Sequence, residues 1–358
     1  MEDQMRAWVY TKPGRPENIL SLANVPKPKL TSPNQVLVKV SHASLFSSNV
    51  AIMALVPNPA GTPRIPEMEF AGTVAALGEN VRADLKQSGP GTQVWGLTLP
   101  MENKLEVINH IRKPNGTLTE YIVAHQDLVV IKPPNIDPQE VAGMAGMGCT
   151  AVEFLDAADL KEGDYVLING GSGAVGILLL QIAKEIVGPS GKVVTTCSGE
   201  KFDLVKQYGA DMAIDYRAQD PVHEYLMREY STRKFDAIID TASSQELYDH
   251  SPAYLNSGKL FLDMAVKHPV DRDWRATDLL WFMCNQVKNN FQPRWLGGTP
   301  TKYKFISATP TLKSLERLRK LIAEGKLRGP VDSVWSMDQA IPVGYQMACW
   351  RCEEVIMW

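Results

Sequence analysis

The sequence predicts an α/β protein of two domains, a β-rich unit followed by a doubly wound parallel sheet. Three observations carry the prediction. The chain has 358 residues, 44% of them hydrophobic and 22% charged, which suits a globular protein with two cores. Its first third is a series of short alternating or apolar runs bounded by glycine and proline. From Ile136 onward, apolar strands alternate with helical segments, the pattern of a parallel sheet with crossover helices.

Taken in order, "MRAWVY", "QVLVKVSHAS", "EFAGTVAALG", "TQVWGL", "TEYIVA" and "LVVIKPP" read as strands of the first unit. Between Leu97 and Asn115 lies a long connection, "LTLPMENKLEVINHIRKPN", of the length used for lids. In the second unit "DYVLIN", "KVVTTC", "MAIDY", "FDAIID", "KLFLDMA" and "KYKFISA" are six strands, most of them apolar enough to be buried on both faces. The helix "AVGILLLQIAKEIVG" stops at Gly188-Pro189, and "KFDLVKQYG" stops at Gly209. "DWRATDLLWFMCNQV" reads as a helix leaving the sheet, "TLKSLERLRKLIAEGKL" as an amphipathic helix, and "CEEVIMW" as a final strand.

The net charge of -3 is spread without blocks of like sign, which excludes a nucleic-acid or membrane-surface footprint. The start, "MEDQMRAWVY", carries acids where a signal peptide has bases, and no run is long enough to span a bilayer. A cytoplasmic location is expected. Five cysteines, Cys149, Cys197, Cys284, Cys349 and Cys352, are odd in number and dispersed, which argues for a reducing compartment rather than a disulfide framework. The lone C-x-x-C of Cys349 and Cys352 reads as two small apolar residues near the terminal strand.

Gly171-Ser172-Gly173-Ala174-Val175-Gly176 follows an apolar strand and opens a helix. In this dinucleotide-binding arrangement the first glycine permits the turn, the second lets backbone approach a pyrophosphate, and the third allows the helix to pack on the strand. Helix-start amides and the dipole favour the anion. The second strand then decides between the two nicotinamide coenzymes. An NAD site ends that strand in Asp or Glu to accept from the ribose 2′-hydroxyl. Here it ends at Cys197 and Ser198, with Lys201 within reach of a 2′-phosphate; Glu200 lies past the tip at a helix start. NADPH is therefore the expected cofactor, with Tyr216, at the end of the third strand, beside its adenosine end.

With these residues in hand, the chain resembles the medium-chain dehydrogenase/reductase superfamily in its zinc-independent, quinone-oxidoreductase-like branch, and within it the fungal trans-acting enoyl reductases. The likeness runs through "MRAWVYTKPGRPENIL", "NQVLVKVSHAS", "EFAGTVAALGENV", "GTLTEYIVA", "LINGGSGAVG" and "TCSGEKFDLVKQYGADMAIDY". It implies a GroES-like catalytic domain made of residues 1–133 and a return segment 310–358. A Rossmann NADP(H)-binding domain, residues 134–309, is inserted between them, with the active site in the intervening cleft. Carried over by position, the 2′-phosphate contacts fall on Ser198, Lys201 and Tyr216, the pyrophosphate turn on Ser172, Gly173, Ala174 and Val175, and the threonine near the nicotinamide on Thr150.

Relatives with catalytic zinc carry a cysteine after the "VKV" strand and Gly-His-Glu before the "AG" strand. This chain has "HASLFSSNV" and "PEMEFAG" there and no cysteine before residue 149; no metal is expected, and His42 and His110 read as surface or packing residues. The branch's Asn-Pro-x-Asp is replaced by Phe46-Ser47-Ser48-Asn49, and its hydroxyl or ammonium donor is absent. Ser47, Ser48 and Asn49 are then the candidates to donate to a substrate carbonyl, with water delivering the proton. Phe46, Met53, Trp95, Met147 and Trp281 are candidates to line an apolar pocket for a bulky conjugated substrate, with ordinary core packing the alternative for each of them singly.

The function expected is NADPH-dependent reduction of activated C=C bonds in enones, quinones or polyketide enoyl groups, in secondary metabolism, with a polyketide synthase as a candidate partner. An isomerase or cyclase of the same fold without net reduction, and a non-catalytic NADPH-binding sensor, stay open as alternatives. So do the monomer and the homodimer, the latter through pairing of "KYKFISA".

Overall fold

The computed structural model describes residues 3–98, 116–264, 276–307, 310–339 and 355–357. The chain divides into two units, Met1–Cys149 with Ala308–Trp358, and Thr150–Ser307. The 97–115 connection beyond Thr98, His110, Cys349, Cys352 and the residues before the final strand lie outside the described residues.

In the first unit, strands β1 (Gln4–Val9) and β2 (Ser21–Pro26) form an antiparallel pair. Around β3 (Gln35–Leu45) assemble β4 (Glu69–Leu77), β5 (Gln93–Leu97), β6 (Tyr121–His125) and β7 (Val129–Ile131). β3 is long enough to pair with β6 through its first half and with β4 along most of its length. Alternation places Val36, Val38 and Val40 inward, each at most 2% exposed, in a core shared with Trp8, Phe70, Val94 and Ile122.

In the second unit β8 (Tyr165–Asn169), β9 (Lys192–Cys197), β10 (Met212–Asp215), β11 (Ala237–Asp240), β12 (Leu260–Asp263) and β13 (Lys302–Phe305) form a six-stranded parallel sheet in the order β10-β9-β8-β11-β12-β13. Val166, Leu167 and Ile168 are fully buried, as a central strand covered on both faces requires. The chain runs from β8 outward to β10, then returns to β11 on the other side. The order therefore reverses between β8 and β11, where such sheets bind ligands at their carboxyl ends. Asn169 closes that point: its Nδ2 donates to Asp240 Oδ1 at 2.7 Å and its Oδ1 accepts from Thr196 Oγ1 at 2.5 Å, so three strand tips are tied together.

The remaining strands β14 (Ser333–Trp335) and β15 (Val355–Met357) return to the first unit, where β15 pairs antiparallel with β3. Trp8 Nε1 donates to Met337 O at 2.7 Å in the same return. The helix Leu312–Ala323 begins at a capping box formed by Thr311 and Ser314 and buries Leu315, Leu318 and Ile322 along one stripe.

Candidate active site

The glycine turn is built by close approach. β8 ends on Asn169, and Gly170 turns the chain with a φ of +83°. The left-handed residue is therefore Gly170 rather than Gly171, because the turn begins one residue earlier than the motif spacing indicates. Gly171 is required for a different reason, since a Cβ there would stand 1.9 Å from Thr195 Oγ1. Thr196 holds the turn to the second strand, accepting from Gly170 N–H at its Oγ1 (2.9 Å) and from Gly171 N–H at its carbonyl (3.0 Å). A Cβ on Gly176 would stand 2.3 Å from Gly170 O, whereas one on Gly173 would meet nothing nearer than 3.4 Å. Gly176 is thus fixed by packing, and Gly173 leaves its outer side to a ligand. No side chain caps the helix Ala174–Val187 at Gly173. A bare glycine cradle at a helix start, over half-buried Ser172, fits the pyrophosphate of a dinucleotide.

β9 ends at Cys197, whose thiol burial pushes up to about 11, so it is no nucleophile near neutral pH. Ser198 follows at 7% exposure. Gly199–Lys201 form a single 3₁₀ turn that leads into the helix Phe202–Gln207 and leaves Lys201 half-buried. Tyr216 follows β10 directly; its N–H donates to Cys197 O at 3.2 Å, while the side chain stands 44% exposed. Ser198, Lys201 and Tyr216 are thus gathered at two adjacent strand tips. Arg217, with its guanidinium 5.6 Å from the Tyr216 ring centroid, joins them and was not found from sequence. The signal was a cation directly after "AIDY".

In the first unit the helix Ser47–Leu55 follows Phe46. Ser47 and Ser48 open it, and their side chains lie outside what is described. Asn49 is buried, and its Nδ2 donates to Glu67 Oε2 at 2.5 Å; the Phe46 N–H donates to the same oxygen at 3.2 Å. Glu67 adopts a left-handed φ of +70°, a strained conformation for a non-glycine residue. Two residues on, buried Glu69 accepts from Gly146 N–H at 2.7 Å. Burial raises its carboxyl to about 8, assisted by the charge of Glu67 and opposed by the amides of Gly146, Ala145 and Met147. Its second oxygen, Oε2, is buried with no hydrogen-bond partner among the described residues. Gly146 admits the carboxylate, as a Cβ there would lie 2.3 Å from Glu69 Oε1.

The same helix, Ala145–Ala158, carries half-buried Met147 and, four residues after Gly146, Thr150 at 4% exposure. Sequence reasoning singled out Asn49 and Thr150 but missed Glu67 and Glu69; acids in "PEMEFAG" were the available signal. Of the proposed pocket residues, Phe46 lies in this cluster. Met53 sits in the apolar core of the first unit, and Trp95 is fully buried on β5. Trp281 is in the second unit on the helix Ala276–Phe291. There it lines a pocket with Ser243, Asp263, Gln286 and Tyr303. Tyr303 OH donates to Asp263 Oδ2 at 2.7 Å, and burial raises the pKa of that hydroxyl.

Among the described residues no group of three or more His, Cys, Asp or Glu could hold a metal ion. His42 is half-buried, its Nδ1 3.1 Å from Ser41 Oγ, and burial lowers its pKa. No helix among the described residues is long and apolar enough to cross a membrane.

Residues 32–134 match the family described as alcohol dehydrogenase GroES-like domain, and residues 208–342 match zinc-binding dehydrogenase. The chain is 34% identical over 368 residues to a trans-enoyl reductase of Penicillium oxalicum (strain 114-2 / CGMCC 5302), a match spanning 94% of this chain and 92% of that protein. It is also 34% identical over 237 residues to a chloroplastic NADPH-dependent alkenal/one oxidoreductase of Arabidopsis thaliana, over 66% of this chain and 58% of that one. Among solved structures, the quinone oxidoreductase from Coxiella burnetii shares the fold with a TM-score of 0.74 at 22% identity, over 99% of each chain.

Proposed function

The chain belongs to the medium-chain dehydrogenase/reductase superfamily, in the branch of quinone oxidoreductases and trans-enoyl reductases, whose members work with a nicotinamide cofactor; from that premise we propose that it is an NADPH-dependent reductase of activated C=C bonds. The substrate class is a bulky conjugated enone, quinone or polyketide enoyl group, the last presented by a polyketide synthase. Likeness over 94% of the chain to a trans-enoyl reductase supports the reaction. The choice of NADPH rests on the second-strand tip, where buried Ser198 stands in place of an NAD-type acid, and accords with the NADPH-dependent plant relative.

When bound, the nicotinamide supplies the hydride. The chain's own residues hold and orient. Ser172, Gly173, Ala174 and Val175 would take the pyrophosphate on helix-start amides, with Gly171 and Gly176 shaping the cradle. Ser198, Lys201 and Tyr216 would take the 2′-phosphate, and Thr150 the nicotinamide end. Ser47, Ser48 and Asn49 would donate to the substrate carbonyl as negative charge develops on its oxygen. Phe46 and Met147 are the proposed pocket residues of the first unit; Met53 and Trp95 are taken up by its buried interior, and Trp281 lines a separate pocket of the second unit.

The test is a panel of enones and quinones with NADPH, read both by loss of the reduced nucleotide and by product analysis. Stoichiometric NADPH consumption with saturation of the C=C bond is expected. Product formed without NADPH consumption would replace the reductase with an isomerase or cyclase, and tight NADPH binding with no product would leave a nucleotide sensor.

A further inference from the structure

At the end of β9, two donors from different strand tips converge on one carboxylate oxygen. Ser198 Oγ donates to Glu200 Oε1 at 3.2 Å. Arg217 Nη1 lies 3.8 Å from the same Oε1. Ser198 is buried, whereas the side chains of Glu200 and Arg217 are 67% and 63% exposed. Ser198 is built in, whereas Glu200 and Arg217 meet as a loose ion pair on two exposed arms.

The backbone around them is fixed. Asp215 Oδ1 accepts from Arg217 N–H at 2.9 Å, and Tyr216 N–H donates to Cys197 O at 3.2 Å, carrying the β9–β10 pairing one residue past the strand. Gly199 lies so close to Asp215 that a Cβ would stand 2.7 Å from its Oδ2. Ser198 and Arg217 are therefore held side by side by the two strand tips.

We propose that Glu200 is a displaceable stand-in for the 2′-phosphate of NADPH, and that Arg217 is a determinant of coenzyme choice alongside Ser198. This rests on the NADPH reading above and deepens it. An exposed ion pair contributes little net stability, so moving the Glu200 arm aside costs little. A phosphate offers more charge and more acceptor oxygens than a carboxylate, and a guanidinium can meet two of them at once. When the ribose carries only a 2′-hydroxyl, Glu200 stays in place and can accept from it. The chain then discriminates by an acid that yields to phosphate rather than by lacking one.

The experiment measures dissociation constants of NADPH, NADH, 2′-phospho-AMP and AMP for the full chain, Glu200→Gln and Arg217→Gln; the two short nucleotides probe the strand tip without the nicotinamide. Thermal unfolding without nucleotide checks that both variants fold, as exposed positions should allow. Arg217→Gln is expected to weaken NADPH and 2′-phospho-AMP about tenfold, a change of ~1.4 kcal/mol, and to leave NADH and AMP within about twofold. Glu200→Gln is expected to tighten both phosphorylated ligands about threefold or more and to weaken NADH. Unchanged NADPH/NADH ratios in both variants, with NADPH still bound by the parent chain, would overturn the inference alone. Failure of the parent chain to prefer NADPH would instead overturn the reading on which it rests.

Discussion

The second-strand tip concentrates several decisions in single side chains. If Lys201 pairs with the 2′-phosphate, removing it loses a charged hydrogen bond of ~1.5–3 kcal/mol. Lys201→Ala should then weaken NADPH ten- to hundredfold, on the order of 1.4 kcal/mol per tenfold, and leave NADH nearly unchanged; equal losses in a fluorescence titration would refute the assignment. Glu69 gives a different signature. Its folded pKa of about 8 lies above the ordinary 4.5, so between these values the folded state holds a proton that the unfolded state has lost. That stabilisation is complete below the unfolded value and is lost as pH rises toward the folded one, at no more than ~1.4 kcal/mol per pH unit. Glu69→Gln keeps an oxygen for Gly146 N–H and removes the titration. Urea unfolding midpoints from about pH 5 to about pH 9 should accordingly fall less steeply in the variant than in the parent. The places of Ser198 and Tyr216 were legible because each directly follows a strand end. Glu67 and Glu69 were not, since two carboxylates buried beside Asn49 and a helix start depend on β4 meeting residues distant in sequence.

Individual elements show why some motifs are readable and others are not. The inner strands of the parallel sheet, such as β8 and β11, announce themselves as apolar runs because both faces are covered, whereas the edge strand β13 alternates between exposed and half-buried residues. β2, by contrast, is exposed or half-buried throughout, and β14 has three residues, too little apolar periodicity to read. The helix Ser47–Leu55 is nearly apolar throughout, so no polar face marks it. The glycine turn was readable as a motif but not in its division of labour, because Gly170 takes the left-handed turn and leaves Gly171 and Gly176 to close contacts. That division makes a paired prediction. Gly176→Ala forces a methyl against Gly170 O and should destabilise the fold by about 1–3 kcal/mol while weakening both nucleotides. Gly173→Ala has room on the protein side, so stability should change by less than about 1 kcal/mol. Affinity for NADPH and NADH should nonetheless fall at least about tenfold if the pyrophosphate lies against that residue. Denaturant melts set beside titrations separate the two, and equal stability losses would mean that the cradle is purely structural.

At the scale of the whole molecule, ligand and fold are linked. A nucleotide that binds only the folded chain stabilises it by about 2.7 kcal/mol at one hundred times its dissociation constant. Thermal unfolding should therefore shift upward more with NADPH than with NADH at equal concentration, and identical shifts would remove the case for phosphate recognition. That the chain has two domains was legible from the change of pattern near Ile136, whereas the two units divide later, at Cys149 and Thr150. The return of the last strand to the first unit came from resemblance rather than periodicity, and its pairing with β3 was not foreseen, because nothing local in "CEEVIMW" names its partner. That pairing also orders events during synthesis. A ribosome making this chain releases β3 before, and β15 after, every strand of the parallel sheet, so the β-rich unit must wait with Ala43–Leu45 of β3 lacking their β15 partner while that sheet emerges and can fold. The unit begun first is finished second. A chain stalled before β15 would hold a nucleotide fold and leave that short stretch of β3 open, the kind of surface on which chaperones act.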